Sequence, residues 1–304
     1  MLSRKHPVVC FGEILWDILP SGAVPGGAPM NVAYHLRRQG FHPALITRIG
    51  NDDNGRELVK IFSTFGVSTD FFQVDENYNT GKVYATPDGN NEMRYDIVKP
   101  VAWDFIITEN RFHRLLTEAD YFVYGSLAAR SSASRGTLLQ LLETAKTKVL
   151  DINLRPPHFS QPIVEELLKK ADFLKLNRSE LHLIAGWFSR HATILDQLHA
   201  IRERFQIESI VVTMGAAGSL FFYNGVIYEH PGISVPVADT VGSGDAFLAG
   251  LLGRLLQQAS PGEALEFANA LGAYVATQRG ACPPYSLDQL HQLIKTNDNA
   301  VSKL

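Results

Sequence analysis

The chain has 304 residues, 45% of them hydrophobic and 19% charged, with a formal net charge of −3. That is enough chain for one large core or two modest ones. Near-neutral charge removes the electrostatic case for nucleic acid or an acidic membrane surface, and no apolar run approaches the ~20 residues of a membrane helix. Two cysteines, Cys10 and Cys282, make no disulfide framework, so the expected compartment is the reducing cytoplasm.

Met1 to Pro7 is basic, but Glu13 and Asp17 interrupt the apolar run after it, which argues against a signal peptide. Val8 to Leu19 reads as one buried strand that turns polar toward its end. Pro25-Gly26-Gly27-Ala28-Pro29-Met30-Asn31 is a glycine turn that leads into a helix through Ala33 and Leu36, stopped by Gly40. Ala44 to Ile49 reads as a strand and Asn54 to Phe65 as a helix ended by Gly66. Strand and helix alternate here as in a parallel sheet with helical crossovers.

Thr80 to Val98 breaks the pattern. Val83 and Ala85 alternate with polar neighbours, as do Met93, Tyr95 and Ile97, with Pro87 to Asn91 between the two runs. That is an antiparallel hairpin with one solvated face. A lone hairpin is unstable, so it is expected to join the region around residues 13–24 in a small sheet that acts as a lid.

Alternation then resumes. Strands are expected at Tyr121 to Gly125, Lys148 to Ile152, Asp172 to Leu176 and Ser209 to Thr213. Helices are expected at Ser131 to Thr144, Pro162 to Lys170, Ser179 to Ile184 and Ala192 to Phe205. Ser219 to Tyr223 and Val226 to Tyr228 form a hairpin across Asn224-Gly225. Later helices start at Gly242, at the capping box Ser260-Pro261-Gly262-Glu263 and at Ser286. No repeat or interdomain linker interrupts the pattern. The expected fold is a single α/β domain over 1–304, a doubly wound, mostly parallel sheet with helices on both faces, plus the lid from about 13–24 and 80–99.

Asp239-Thr240-Val241-Gly242-Ser243-Gly244-Asp245 carries the most chemistry. Gly242, Ser243 and Gly244 precede a helical run through Phe247, Leu248, Leu251 and Leu255. A helix start offers unpaired N–H groups and the positive end of the dipole, and glycines let a phosphate approach them. Asp245 then falls in the first turn, where it either caps the helix or takes a proton from a hydroxyl that attacks phosphorus. Ligands of such sheets bind beyond the C-terminal strand ends. Polar or glycine residues follow apolar strands at Asp17, Gly26-Gly27, Asp151 to Arg155, Lys175 to Glu180 and Thr213 to Gly218.

Together these stretches resemble the ribokinase-like (PfkB) sugar kinases over essentially the whole chain. Gly26 to Asn31 resembles the family's N-terminal motif, Asp239 to Gly250 its C-terminal motif, and Asn177-Arg178-Ser179-Glu180 its Asn-x-x-Glu. Gly12 to Asp17, Gly-Gly-Ala-Pro and Asp151 to Arg155 look most like fructokinases.

The resemblance implies an ATP-dependent kinase that phosphorylates a small sugar, with Asp245 as base and the N–H groups of Gly242, Ser243 and Gly244 holding the phosphoryl group. It puts the nucleotide along Asn177, Thr213, Gly215 and Gly218, with Asn269 near the adenine. Asp17, Gly27 and Asn31 would bind sugar hydroxyls. Asn177 and Glu180 would hold Mg²⁺ through waters, or Glu180 simply caps its helix. Arg155 would meet the sugar or a phosphate, or pair with Asp151. Arg94 would close over the substrate, or lie on a solvated strand face. Asp239, Val241, Val275 and Gly280 would surround K⁺, although Pro284 stands where some members offer a serine oxygen. Cys282 reads as a buried residue rather than a reactive thiol. The lid would pair with its copy in a homodimer, because its exposed edge and face need covering.

Fructose is the expected acceptor; ribose, 2-keto-3-deoxygluconate or a nucleoside are the alternatives, since fold does not fix substrate. A P-loop enzyme is excluded by the lack of Gly-x-x-x-x-Gly-Lys-Ser/Thr. A dinucleotide oxidoreductase would need Gly-x-Gly-x-x-Gly after the first strand, where Glu13 and Asp17 stand instead. A non-catalytic sugar- or nucleotide-binding protein would have no use for Asp245.

Overall fold

Val8 to Phe11 is wholly buried and forms β1 (Val8–Phe11). In a computed structural model that describes residues 6–20, 22–87, 93–188, 190, 193–297 and 302–303, the chain forms two compact units, Met1–Lys146 and Thr147–Leu304.

The first unit does not continue β1 to Leu19, as the apolar run suggests. Gly12 turns the chain at φ 138°, and Thr47 Oγ1 donates to its carbonyl at 2.6 Å. The run restarts as β2 (Leu15–Leu19), in a different sheet. Between them Glu13 is buried, and its Oε1 accepts the Ala28 N–H at 3.3 Å. Glu13 therefore caps the helix that follows instead of lining a strand. β3 (Gly22–Gly26) returns antiparallel to β2 and ends at Gly27. α1 (Ala28–Arg38) starts there, with proline in its first turn.

β4 (Ala44–Gly50) and α2 (Asp53–Phe65) follow as expected, α2 being capped by Asp52 and ended by Gly66 in the left-handed region. β5 (Phe72–Asp75), too short to show a period, was not anticipated. β6 (Gly81–Pro87) and β7 (Met93–Ile97) are the expected antiparallel hairpin; the turn expected within Pro87 to Asn91 falls largely outside the described residues. α3 (Asn110–Glu118), also unanticipated, precedes β8 (Tyr121–Gly125) and α4 (Ser132–Leu142). The principal strands run β8-β1-β4-β5, all parallel. The small sheet runs β3-β2-β6-β7, with β2 and β6 parallel. Val83, Ala85 and Ile97 are buried on one face of it, where Tyr95, opposite Ala85, is exposed; Tyr84, opposite Asp96, is exposed on the other face.

The second unit begins with β9 (Thr147–Asp151), α5 (Gln161–Leu168), β10 (Phe173–Asn177), α6 (Arg178–Gly186), α7 (Ile194–Phe205) and β11 (Ser209–Thr213). The three strands are parallel, with Lys175 in register with Asp151 and Asn177 with Thr213. β12 (Ser219–Tyr223) and β13 (Val226–His230) add antiparallel. Their turn has φ 50° at Asn224 and 80° at Gly225, as Asn-Gly hairpins require. α8 (Ser243–Leu256), α9 (Pro261–Ala276), α10 (Leu287–Thr296) and the edge strand β14 (Ser302–Lys303) complete the unit. The Ser260–Glu263 capping box is formed as its spacing requires, Ser260 Oγ accepting the Glu263 N–H at 3.3 Å. Behind α8, Ala246 packs in a core with Phe267, Leu271, Val275, Tyr285 and Leu290. The fold class is α/β, mostly parallel strands with helices between them and one small separate sheet. Among the described residues no helix is long and apolar enough to cross a membrane.

Candidate active site

In the second unit, the parallel strands β9, β10 and β11 all end in polar residues, and the start of α8 lies against one of them. Gly242, the N-cap of α8, adopts φ 74°. A Cβ on it would lie 2.4 Å from Ala281 Cβ, so glycine is required both by conformation and by space. A Cβ on Gly244 would lie 3.0 Å from Lys175 Nζ. Of the three expected anion donors, Ser243 is partly engaged, its N–H lying 3.3 Å from Thr240 O. Among the described residues the N–H groups of Gly242 and Gly244 have no protein acceptor. Two unpaired amides at the positive end of a 14-residue helix are an arrangement that suits an anion.

Ser243 and Gly244 share a cavity of about 220 Å³ with Thr213, Gly215, Gly218 and Asn269. The structure thus brings together most of the expected nucleotide residues and the helix mouth. Asn269 is buried; its Nδ2 donates to Ser219 Oγ and Leu265 O, both at 2.8 Å, and among the described residues its side-chain oxygen has no donor. The apolar wall, Ile233, Val235, Val237 and Phe247 among others, was not anticipated from sequence. Most of it lies on the irregular segment between β13 and α8, where no period marks it.

Asp245, in the first turn of α8, is buried. Its charge reaches Cys282 and Lys175. Cys282, expected to be buried, is only partly so; desolvation, and after it Asp245, pushes its thiol up. Lys175 is the neighbour that motif reading passed over. Its Nζ donates to both carboxylate oxygens of Asp151, at 2.9 and 2.8 Å, and the pair is buried. Burial works against the ammonium, but Asp151 and then Asp245 outweigh it and hold the Lys175 pKa above its usual value. A lysine inside the apolar strand Phe173-Leu174-Lys175-Leu176 was the signal available in the sequence.

The same pair decides a contact left open above. Asp151 is taken by Lys175, so the Asp151–Arg155 salt bridge does not form; Arg155 is exposed and its Nη1 donates to Leu154 O at 3.2 Å.

Asn177 and Glu180 make a reciprocal cap. Glu180 N–H donates to Asn177 Oδ1 at 2.9 Å, and Asn177 N–H to Glu180 Oε2 at 2.8 Å. Glu180 Oε1 accepts the Leu154 N–H at 2.8 Å. Burial raises the Glu180 pKa despite the nearby Lys175. Each carboxylate oxygen keeps a lone pair after these bonds, so the residues fit a divalent ion held through waters. Among the described residues no group of three His, Cys, Asp or Glu is placed to hold an ion directly.

Around the expected K⁺ loop, Asp239 Oδ1 accepts the Val241 N–H at 3.0 Å and Oδ2 the Gly280 N–H at 3.1 Å. The Val275 carbonyl accepts Gln278 N–H at 2.9 Å. Asp239 thereby ties the turn before α8 to the loop after α9.

The first unit gathers Asp17, Gly27 and Asn31. Asp17 lies within β2 in the small sheet, not at the end of a principal strand. Its carboxylate rests on Gly26, where any Cβ would overlap Oδ2. Gly27 has φ 121° and a Cβ there would lie 2.5 Å from Glu13 O. Asn31, buried one turn into α1, donates its N–H to Gly27 O at 3.0 Å. A carboxylate and an amide grouped in this way suit adjacent hydroxyls. The backbone of Arg94 lies in β7, but its side chain is outside the described residues.

A parallel α/β scaffold with an anion-binding helix mouth, a buried carboxylate in its first turn and an apolar cavity beside it defines a phosphoryl-transfer protein. Residues 22–288 match the pfkB family carbohydrate kinases, and the chain belongs to that family. It is 30% identical to "Probable fructokinase-7" of Arabidopsis thaliana over 95% of this chain and 92% of that one. It is likewise 30% identical to "Fructokinase-1" of Oryza sativa subsp. japonica over 99% of this chain and 100% of that one. Among solved structures, fructokinase from Vibrio cholerae O395, in fructose, ADP and calcium ion bound form, is similar with a TM-score of 0.83 and 27% identity, covering 96% of this chain and 99% of that one.

Proposed function

We propose that this carbohydrate kinase transfers the γ-phosphoryl of ATP to a hydroxyl of D-fructose, residues 1–304 serving one reaction as a single domain. The observation that carries the reading is the start of α8: the unpaired N–H groups of Gly242 and Gly244, with Ser243 and Gly244 on the wall of the cavity that holds Thr213, Gly215, Gly218 and Asn269. The fructokinase names of the relatives support the acceptor.

In this mechanism Asp17, Gly27 and Asn31 orient the sugar through its hydroxyls. Asp245 accepts the proton of the attacking hydroxyl as the new O–P bond forms and the bond to the β-phosphate oxygen breaks. Gly242 and Gly244, with Ser243 once its long bond to Thr240 yields, donate to the oxygens of the phosphoryl group in flight. Donors of this kind contribute about 3–4 kcal/mol each. Arg155 and Arg94 are assigned to the substrate's outer hydroxyls or a phosphate. Asn177 and Glu180 would hold a Mg²⁺ through waters, and that ion would supply positive charge to the phosphates of ATP. K⁺ is assigned to the Asp239, Val241, Val275 and Gly280 loops, where Pro284 offers no side-chain oxygen. The cytoplasm, which keeps ATP and thiols in the required forms, is the assigned compartment.

The test is ADP release over a panel of sugars and nucleosides, with Asp245→Asn alongside. Fructose should give the highest kcat/KM, and Asp245→Asn should keep ATP and sugar binding while kcat falls about 10²–10⁴-fold. Higher kcat/KM with ribose, 2-keto-3-deoxygluconate or a nucleoside would replace the acceptor. Near-normal turnover of the Asn variant would remove the base. We also assign the small sheet to a homodimer contact, on the exposed Tyr84 and Tyr95; a monomer in sedimentation at micromolar concentration would contradict it.

A further inference from the structure

The mechanism above makes no use of a buried ammonium in the second unit. Lys175 lies in the middle of β10, between Leu174 and Leu176, side chain 9% exposed, and its ammonium is locked by two bonds to Asp151, itself 5% exposed. The ammonium also lies beside the start of α8. The nearest atom to the missing Cβ of Gly244 is Lys175 Nζ, at 3.0 Å. The second residue of α8 thus leaves room for this one cation.

Around it stand three carboxylates. Asp151 is hydrogen-bonded to it, while Asp245 and Glu180 interact with it through charge. Without the lysine, these three carboxylates would lose the cation that faces them beside the start of α8. The phosphoryl group would then be held by the N–H groups and dipole of the helix start alone. A cation held in a water-poor setting is a much stronger source of field, because little solvent screens it.

We propose that Lys175 is a positioning residue for phosphoryl transfer: through its contact with Gly244 and its two bonds to Asp151 it fixes the start of α8 and keeps the positive end of a buried ion pair beside it. The assignment rests on the reading of that helix start as the phosphoryl site. It does not make Lys175 a catalytic residue, since its contacts are with Gly244 and Asp151 and not with a reacting group. Asp151 is the anchor that keeps the ammonium at this spot and not extended toward solvent. A purely structural pair would serve equally well as two neutral side chains of the same size, because replacing both members of a buried ion pair is often neutral or stabilising. That difference makes the two roles separable.

The experiment compares Lys175→Met, Asp151→Asn and the double variant Asp151→Asn/Lys175→Met with the parent and with Asp245→Asn. Each is measured for kcat, both KM values, melting temperature, and affinity for ADP with aluminium fluoride and fructose, a mimic of the phosphoryl group in flight. Lys175→Met strands the Asp151 carboxylate, so it should lose stability as well as activity. The double variant should recover most of the melting temperature. Its kcat should nevertheless stay about 100-fold below the parent, with both KM values within threefold. It should bind ADP normally and the aluminium fluoride complex at least 30-fold more weakly. A double variant that recovers kcat to within threefold overturns the proposal and makes the pair a fold element only. A double variant that binds the mimic as the parent does overturns it as well. If Asp245→Asn itself turns over normally, the phosphoryl-site reading fails at its root. If it is dead while the double variant is active, only the role of Lys175 falls.

Discussion

Gly242→Ala tests the helix mouth most directly, because its cost can be worked out from two separate features. The residue sits at φ 74°, where a side chain costs about 1–2 kcal/mol. The added Cβ would lie 2.4 Å from Ala281 Cβ and 2.6 Å from Ala281 Cα. Ordinary carbon–carbon contacts begin near 3.5 Å, so the start of α8 must move from the 281 loop by about 1 Å. Forcing a group into a packed site costs a further ~1–3 kcal/mol. The sum is about 2–5 kcal/mol of stability, and each kcal/mol lowers the melting temperature by about 2–4 °C in domains of this order of size.

The same displacement moves the Gly242 and Gly244 amides off the phosphoryl position. A misplacement of ~1 Å is worth about 100-fold in rate. The apolar wall of the cavity is not touched, so the requirement for ATP should change less than kcat does. Calorimetry and coupled ADP release measure both halves. A variant that melts early but keeps kcat within twofold would refute the role of the helix mouth in catalysis. One that is unchanged in both would refute the geometry of the turn.

Asp17→Ala should raise the KM for sugar at least 30-fold while the KM for ATP stays within twofold; equal rises in the two would contradict its assignment to the acceptor. Asp52 caps α2, accepting N–H bonds from Gly55 at 2.7 Å and Thr80 at 2.8 Å and the Thr80 hydroxyl at 2.7 Å. Burial raises its pKa, but the Thr80 and Gly55 bonds and the charge of Lys82 outweigh it, so the carboxyl lies below its usual value of 3.8. Its contribution to stability is therefore complete above the unfolded value and is lost as pH falls through the depressed one. Asp52→Ala should cost about 1–2 kcal/mol at pH 7, and the gap should narrow below pH 4 in urea unfolding. A gap that stays constant to pH 3 would refute the capping account.

Much of the molecule was legible in its residues because local chemistry decides local structure. Asn224-Gly225 demands a tight hairpin, Ser260 and Glu263 cap one helix, and Gly66 ends another, each for reasons contained within a few residues. The glycines before Phe247 marked a helix mouth in the same way, and their unpaired amides follow from backbone geometry alone. Alternating Val83, Ala85, Tyr95 and Ile97 likewise announced a sheet with one wet face.

What the tertiary structure decided depends on partners far apart in the chain. Nothing near Gly12 says that the apolar run from Val8 must break and enter a second sheet; that follows from the bonds of residue 12 to Ile46 and Thr47. Nothing near Asp151 says that its partner is Lys175 on the next strand rather than Arg155 four residues on. The apolar wall of the cavity has no period, because an irregular segment supplies most of it. Hydrogen-bond caps and turns act over a few residues and can be read from order alone, whereas charge pairing and packing act through space, and only the folded chain brings those groups within reach of one another.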